Sequence, residues 1–161
     1  MTEVDLDKFV ATYSNDDALI CFRWNGKHGD EFDDANEGFR NAVIDRVLNQ
    51  SEDVPLSLLV DLYRALTQYS AEAWCIDERV EDLAKLMIKM GGAQIAREFI
   101  VGAMQSFDAQ CATVFSGSPR DKVEECLKLT QSKLETESEE DERTLWEFGL
   151  ENFKKLLKHA A

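Results

Sequence analysis

Between Pro55 and Phe115, three apolar stripes at helical spacing follow one another with almost no loop between them. The first is Leu59, Leu62, Tyr63, Leu66, Tyr69 and Ala73. The second is Ile76, Val80, Leu83, Met87 and Met90. The third is Ala96, Phe99, Ile100, Ala103, Phe107, Cys111 and Val114. Each sets an apolar face against a polar one, the pattern of a helix half-buried in a core. Three such faces cannot bury themselves alone, so the flanking segments must pack around them. A chain of 161 residues suffices for one core. The expectation is an all-α, single-domain bundle of about seven or eight helices spanning residues 1–161.

Local signals mark the other helices. Thr2 with Asp5 reads as a capping box for a helix burying Leu6, Phe9, Val10 and Tyr13. Ala18–Trp24 before Asn25-Gly26 fits either a strand entering a hairpin or a short buried helix. The segment after Asn-Gly makes a poor second strand, so helix is the reading adopted. A helix from about Asp34 to Asn49 turns Phe39, Val43, Val47 and Leu48 inward. Pro55 suits the first turn of the next helix, where the N–H it lacks has no partner. Gly91-Gly92 reads as a stop and restart. Gly102, costing ~1 kcal/mol against Ala inside a helix, marks a close helix approach. Ser118 is the expected cap of a helix carrying Val123, Cys126, Leu127, Thr130 and Leu134. Ser138, with Asp141, is the expected cap of the last. In that helix acids crowd the N-terminus, Lys154, Lys155, Lys158 and His159 crowd the C-terminus, and both complement the macrodipole.

Charge is the unusual quantity: 32 acidic residues against 18 basic ones, a net of −14. Such a field repels phosphates, which argues against direct binding to nucleic acid or to an anionic membrane and favours a cationic partner. Solubility alone is the competing explanation. Met1-Thr2-Glu3-Val4-Asp5 has no signal-peptide character, and no apolar run approaches the ~20 residues of a membrane span. Cys21, Cys75, Cys111 and Cys126 form no C-x-x-C pair and read as buried free thiols in a reducing cytoplasm.

Motifs for catalysis or cofactors are missing. Neither His28 nor His159 has an acid three residues before it, as a di-iron bundle requires; Asn25 and Leu156 stand there. Asp34-Ala35-Asn36-Glu37-Gly38 alternates like a calcium loop, yet Gly38 stands where an oxygen ligand belongs and Phe39 where glycine does. Gly117-Ser118-Pro119 is better explained as a turn than as a nucleophile site. No cofactor is expected, and an enzyme or metal protein built on His28 and nearby acids is the minority reading.

The acids cluster in three groups. One is Asp30, Glu31, Asp33, Asp34 and Glu37. A second is Asp77, Glu78, Glu81 and Asp82. The third is Glu135, Glu137, Glu139, Glu140, Asp141 and Glu142. Residues three or four apart on a helix lie about 5–6 Å from each other. Asp77 with Glu81, and Glu78 with Asp82, then form carboxylate rows comparable to phosphates along a strand, which recur with a ~3.4 Å axial rise. Like charges so placed repel, a cost that suggests a use. For Glu139 to Glu142 the helix N-terminus is a sufficient role by itself.

In size, acidity, helical content and these acidic runs, the chain resembles the small acidic helical DNA-mimic proteins of bacteria. It resembles more loosely the immunity proteins that plug basic nuclease toxins. The resemblance rests on no motif and assigns no residue. It implies a non-enzymatic protein that occupies the nucleic-acid-binding face of a basic regulator, nucleoid protein or toxin. The expected contact residues are the acids of the three groups other than Glu135, with Trp24 and Phe32 as aromatic anchors. A homodimer would lengthen the charged track.

Overall fold

The computed structural model describes residues 5–49 and 53–161. Its α-helices are α1 (Leu6–Ala11), α2 (Glu37–Asn49), α3 (Leu56–Ala73), α4 (Arg79–Gly91), α5 (Ala96–Ala103), α6 (Phe107–Ala112), α7 (Arg120–Thr136) and α8 (Glu140–Lys158). Short 3-10 turns lie at Gly29–Glu31 and Gly92–Ile95. Among the described residues the only β pairing is an isolated antiparallel bridge between Trp24 and Asp34. The all-α expectation is met.

The first stripe does what its spacing requires. Leu58, Leu59, Leu62, Tyr63 and Leu66 on α3 are fully buried, each such side chain contributing roughly 1.5–3 kcal/mol by leaving water. Tyr63 stacks on Phe99 of α5 with centroids 6.0 Å apart, and Phe99 stacks on Phe153 of α8 at 5.3 Å. The buried Tyr63 hydroxyl donates to the Phe99 carbonyl at 2.9 Å, and burial raises its pKa well above the usual phenol value. This column of rings joins three helices. Two glycines make room for it: a Cβ on Gly102 would run into the Tyr63 ring, and one on Gly149 into Ile100. The close approach expected at Gly102 is thus observed. Helices α7 and α8 close the other side through Val123, Cys126, Trp146 and Leu156. One apolar core runs from Val10 of α1 to Leu156 of α8.

Several local expectations give way. Thr2 lies outside the described residues; Asp5 itself caps α1, accepting from the N–H groups of Asp7 and Lys8. Pro55 precedes α3 rather than opening it. The third stripe is two helices, because Ser106 accepts a hydrogen bond from the Ala109 N–H at 3.0 Å and caps α6 as a new start. Phe107 is thereby turned out to 76% exposure. Neither Ser118 nor Ser138 caps a helix: Pro119 and Glu139 precede α7 and α8 without a side-chain cap. Ser118 is buried with its hydroxyl unpartnered. Before α8 the Glu137 carboxylate takes the N–H groups of Ser138 and Glu139 instead, both at 2.9 Å.

Ala18–Trp24 is not a helix. It makes a turn and a bend and then, without regular structure, reaches the Trp24 bridge. The thiols divide as well: Cys126 is buried and Cys21 half-buried, while Cys75 and Cys111 are exposed. Cys75 follows the end of α3 and so escapes the stripe. Cys111 shares the outward face of the short α6 with Phe107, four residues before it. Burial pushes the Cys126 thiol up to about 12, so it stays a protonated core group.

Candidate functional site

Residues 18–36 carry most of the first acidic group, and a buried charge organises them. The Asp34 carboxylate accepts from Arg40 Nη2 at 2.5 Å and from the backbone N–H groups of Arg23 at 3.0 Å and Asn36 at 3.2 Å. The Asp34 and Arg40 side chains are almost wholly buried, at 0% and 1% exposure. The Asn36 amide donates to the carbonyls of Ala18 and Cys21, both at 3.0 Å. The Arg40 guanidinium also sits over the Tyr69 ring, 5.8 Å from its centroid. With its carboxylate spent on the loop, Asp34 belongs to no helix, and α2 starts only at Glu37.

This hub folds the chain back on itself. Asn25 N–H donates to the Asp33 carbonyl and Ala35 N–H to the Arg23 carbonyl. Phe22, Trp24, Phe32 and Tyr69 collect into an aromatic cluster with centroids 5.4–6.5 Å apart. Trp24 is partly buried there, and its indole N–H donates to the Lys27 carbonyl at 2.7 Å. At the loop's tip His28 packs on Trp24, with centroids 4.8 Å apart, and stacks on Trp74 at 4.9 Å with the planes 13° apart. Its Nδ1 lies 3.1 Å from the Glu72 carbonyl. The loop is thereby fixed to the end of α3.

The predicted acids meet different fates. Asp30 and Asp33 are exposed and pair with no cation among the described residues. Glu31 pairs with Lys27. Asp34 is buried and is removed from the surface set. Glu37 and Asp77 line the same cleft of about 210 Å³, together with Tyr69, Cys75 and Ile76. That cleft joins the first group to the second.

Asp77 is bound by Arg79, which also reaches Asp45 and Asn41 on α2, both at 2.9 Å. Burial would raise the Asp77 pKa, but the Arg79 hydrogen bonds and charge outweigh it and leave the carboxyl below its usual value. Glu81 pairs with Lys85. The expected rows therefore shrink to Glu78, just before α4, and Asp82 on it, which are exposed and pair with no cation among the described residues.

The third group stands apart, at the turn between α7 and α8. Glu142 pairs with Arg97 of α5, and Glu137 is taken up by backbone N–H groups. Glu139, Glu140 and Asp141 are exposed in or beside the first turn of α8. Among the described residues, no hydrogen bond or ion pair links this group to the other two.

The sequence pattern does not single out Arg40, Arg79, Glu72 or Trp74 at this site. Trp74 ends α3 in the left-handed conformation with 75% of its surface exposed. A tryptophan just past the last stripe residue was the available signal. Among the described residues, no cluster of three or more His, Cys, Asp or Glu side chains is arranged to hold a metal ion. No helix among them is long and apolar enough to cross a membrane. No protein-family model, characterised protein or solved structure matches the chain.

Proposed function

We propose that the protein is a non-enzymatic, cytoplasmic acidic inhibitor that occupies the nucleic-acid-binding face of a basic protein. The supporting observation is the placement of carboxylates that pair with no cation among the described residues, on the loop that carries most of the aromatic cluster and at the starts of α2 and α4. Asp30 and Asp33 lie on the loop, Glu37 opens α2, and Glu78 and Asp82 mark the start of α4. The loop is pinned to α3 and Arg79 pins α4 to α2, so these charges sit on fixed elements and need little ordering on binding. A net charge of −14 steers a cationic partner toward them. The partner class is a DNA-binding regulator or nucleoid protein, whose Lys and Arg side chains meet carboxylates in place of phosphates.

The test is capture from cell extract on immobilised protein, across a salt series and with duplex DNA as competitor. A basic DNA-binding protein held at low salt, released by salt and displaced by DNA supports the reading. A partner whose retention ignores both salt and DNA overturns it. Capture of a toxin alone assigns the same surface to immunity.

A further inference from the structure

We infer that the open face of Trp74 receives an arginine side chain of the partner; this rests on the reading above that the partner is basic. Trp74 breaks two local rules at once. Its backbone is left-handed, with φ 53° and ψ 30°, a conformation that costs a side chain of this kind about 1–2 kcal/mol and that helix ends usually assign to glycine or asparagine. Its indole is also 75% exposed, which forgoes the burial a large aromatic ring normally gains. The apolar core does not include it.

What the chain does instead is brace one side of this ring. His28 stacks on one side of it at 4.9 Å, nearly parallel. His28 in turn is set by Trp24 at 4.8 Å and by the Glu72 carbonyl at 3.1 Å. The stack therefore rests on the loop ordered by Asp34 and Arg40, and its outer end is bare indole.

The chemistry of that end selects the ligand. An indole face attracts cations through its quadrupole. A guanidinium is planar and weakly hydrated, so it stacks at lower desolvation cost than the compact ammonium of lysine. The Glu72 carboxylate, 3.9 Å from His28 Nε2 and 39% exposed, adds an acceptor beside the stack. A nucleobase would also stack on indole, but its phosphates would enter the field of a chain with net charge −14.

The experiment titrates the full chain with short oligo-arginine and oligo-lysine peptides of equal length at low salt. Affinity is read by calorimetry and contact by the Trp74 indole N–H resonance. The expected result is an arginine peptide bound about five- to tenfold more tightly than the lysine peptide, with the Trp74 resonance shifted. Trp74→Asn, whose side chain tolerates the left-handed backbone, should abolish this preference. It should leave affinity for the lysine peptide and the melting temperature undiminished. Trp74→Phe should keep part of the preference.

Equal binding of the two peptides, or an arginine preference that survives in Trp74→Asn, overturns the assignment. Both leave the basic-partner reading intact, because that reading rests on the surface carboxylates and not on Trp74. Failure of both peptides to bind at low salt overturns both readings. Binding of a single-stranded oligonucleotide through Trp74 would replace arginine with a base and also overturn it.

Discussion

The ring column of α3, α5 and α8 and the loop of residues 18–36 hold themselves together by opposite means. The column is apolar: Tyr63, Phe99 and Phe153 stack through the middle, and Gly102 and Gly149 set how closely the helices approach. Its cohesion is spread over many contacts, each small and replaceable. The loop has little apolar burial of its own beyond Ile20 and the partly covered aromatic cluster. It depends on one carboxylate, Asp34, which pairs with a buried arginine and accepts from two backbone N–H groups together. A diffuse apolar contact tolerates trimming. A buried charged hub does not, because removing one partner strands the other in a low-dielectric interior.

The largest predicted effect follows directly. Asp34→Ala should destabilise the protein by about 3–5 kcal/mol in denaturant unfolding, since it leaves the Arg40 guanidinium without its counter-charge. It should also release Trp24 and His28 from their fixed stack, seen as loss of the near-ultraviolet circular dichroism of the aromatic groups. If Asp34→Ala costs no more than an ordinary surface substitution, the contrast between the regions is wrong.

A smaller effect is expected in the column. Gly102→Ala places a methyl against the Tyr63 ring, and overpacking of this kind costs roughly 1–3 kcal/mol. A gain in stability, as glycine-to-alanine changes give on open helical surfaces, would show that the helices do not approach as closely as described.

The smallest of the three lies at the joint between α2 and α4. Arg79→Met should cost roughly 1–2 kcal/mol at neutral pH, discounted because the pair is partly solvated. The pH dependence has a definite sign. The folded Asp77 pKa is depressed, so its contribution is present above the unfolded value of ~3.9 and is lost as pH falls through the lower folded value. Without the Arg79 guanidinium, only the backbone N–H of residue 79 and the Arg40 charge still oppose the burial penalty on Asp77. Acid unfolding, followed by circular dichroism, should then begin at higher pH than in the parent.

The two regions also differed in how far the sequence disclosed them. Leu59, Leu62, Tyr63 and Leu66 recur at helical spacing and are buried as that spacing requires, because apolar burial is additive and periodic. The break at Ser106 was harder to see: Phe107, Cys111 and Val114 keep the period while the serine caps a new helix. The loop could not be read in this way. Asp34 stands among surface acids in composition, and nothing local distinguishes a carboxylate that will bind an arginine six residues later from one left in water.

The same limit applies to the acidic surface. Clustering predicted Asp30, Asp33, Glu78 and Asp82 as exposed charges, but the pairing of Glu31, Asp77, Glu81 and Glu142 with cations is a matter of geometry. Trp74 was missed because its left-handed backbone sets it outside the helical period.

The most direct measurement compares two charge-neutralised variants on the same partner. One is Asp30→Asn, Asp33→Asn, Glu78→Gln and Asp82→Gln, around the aromatic loop. The other is Glu139→Gln, Glu140→Gln and Asp141→Asn, at the start of α8. With both folded, the first should lose low-salt capture of the basic partner while the second retains it. Retention by the first, or loss only in the second, would contradict the placement of recognition at the loop.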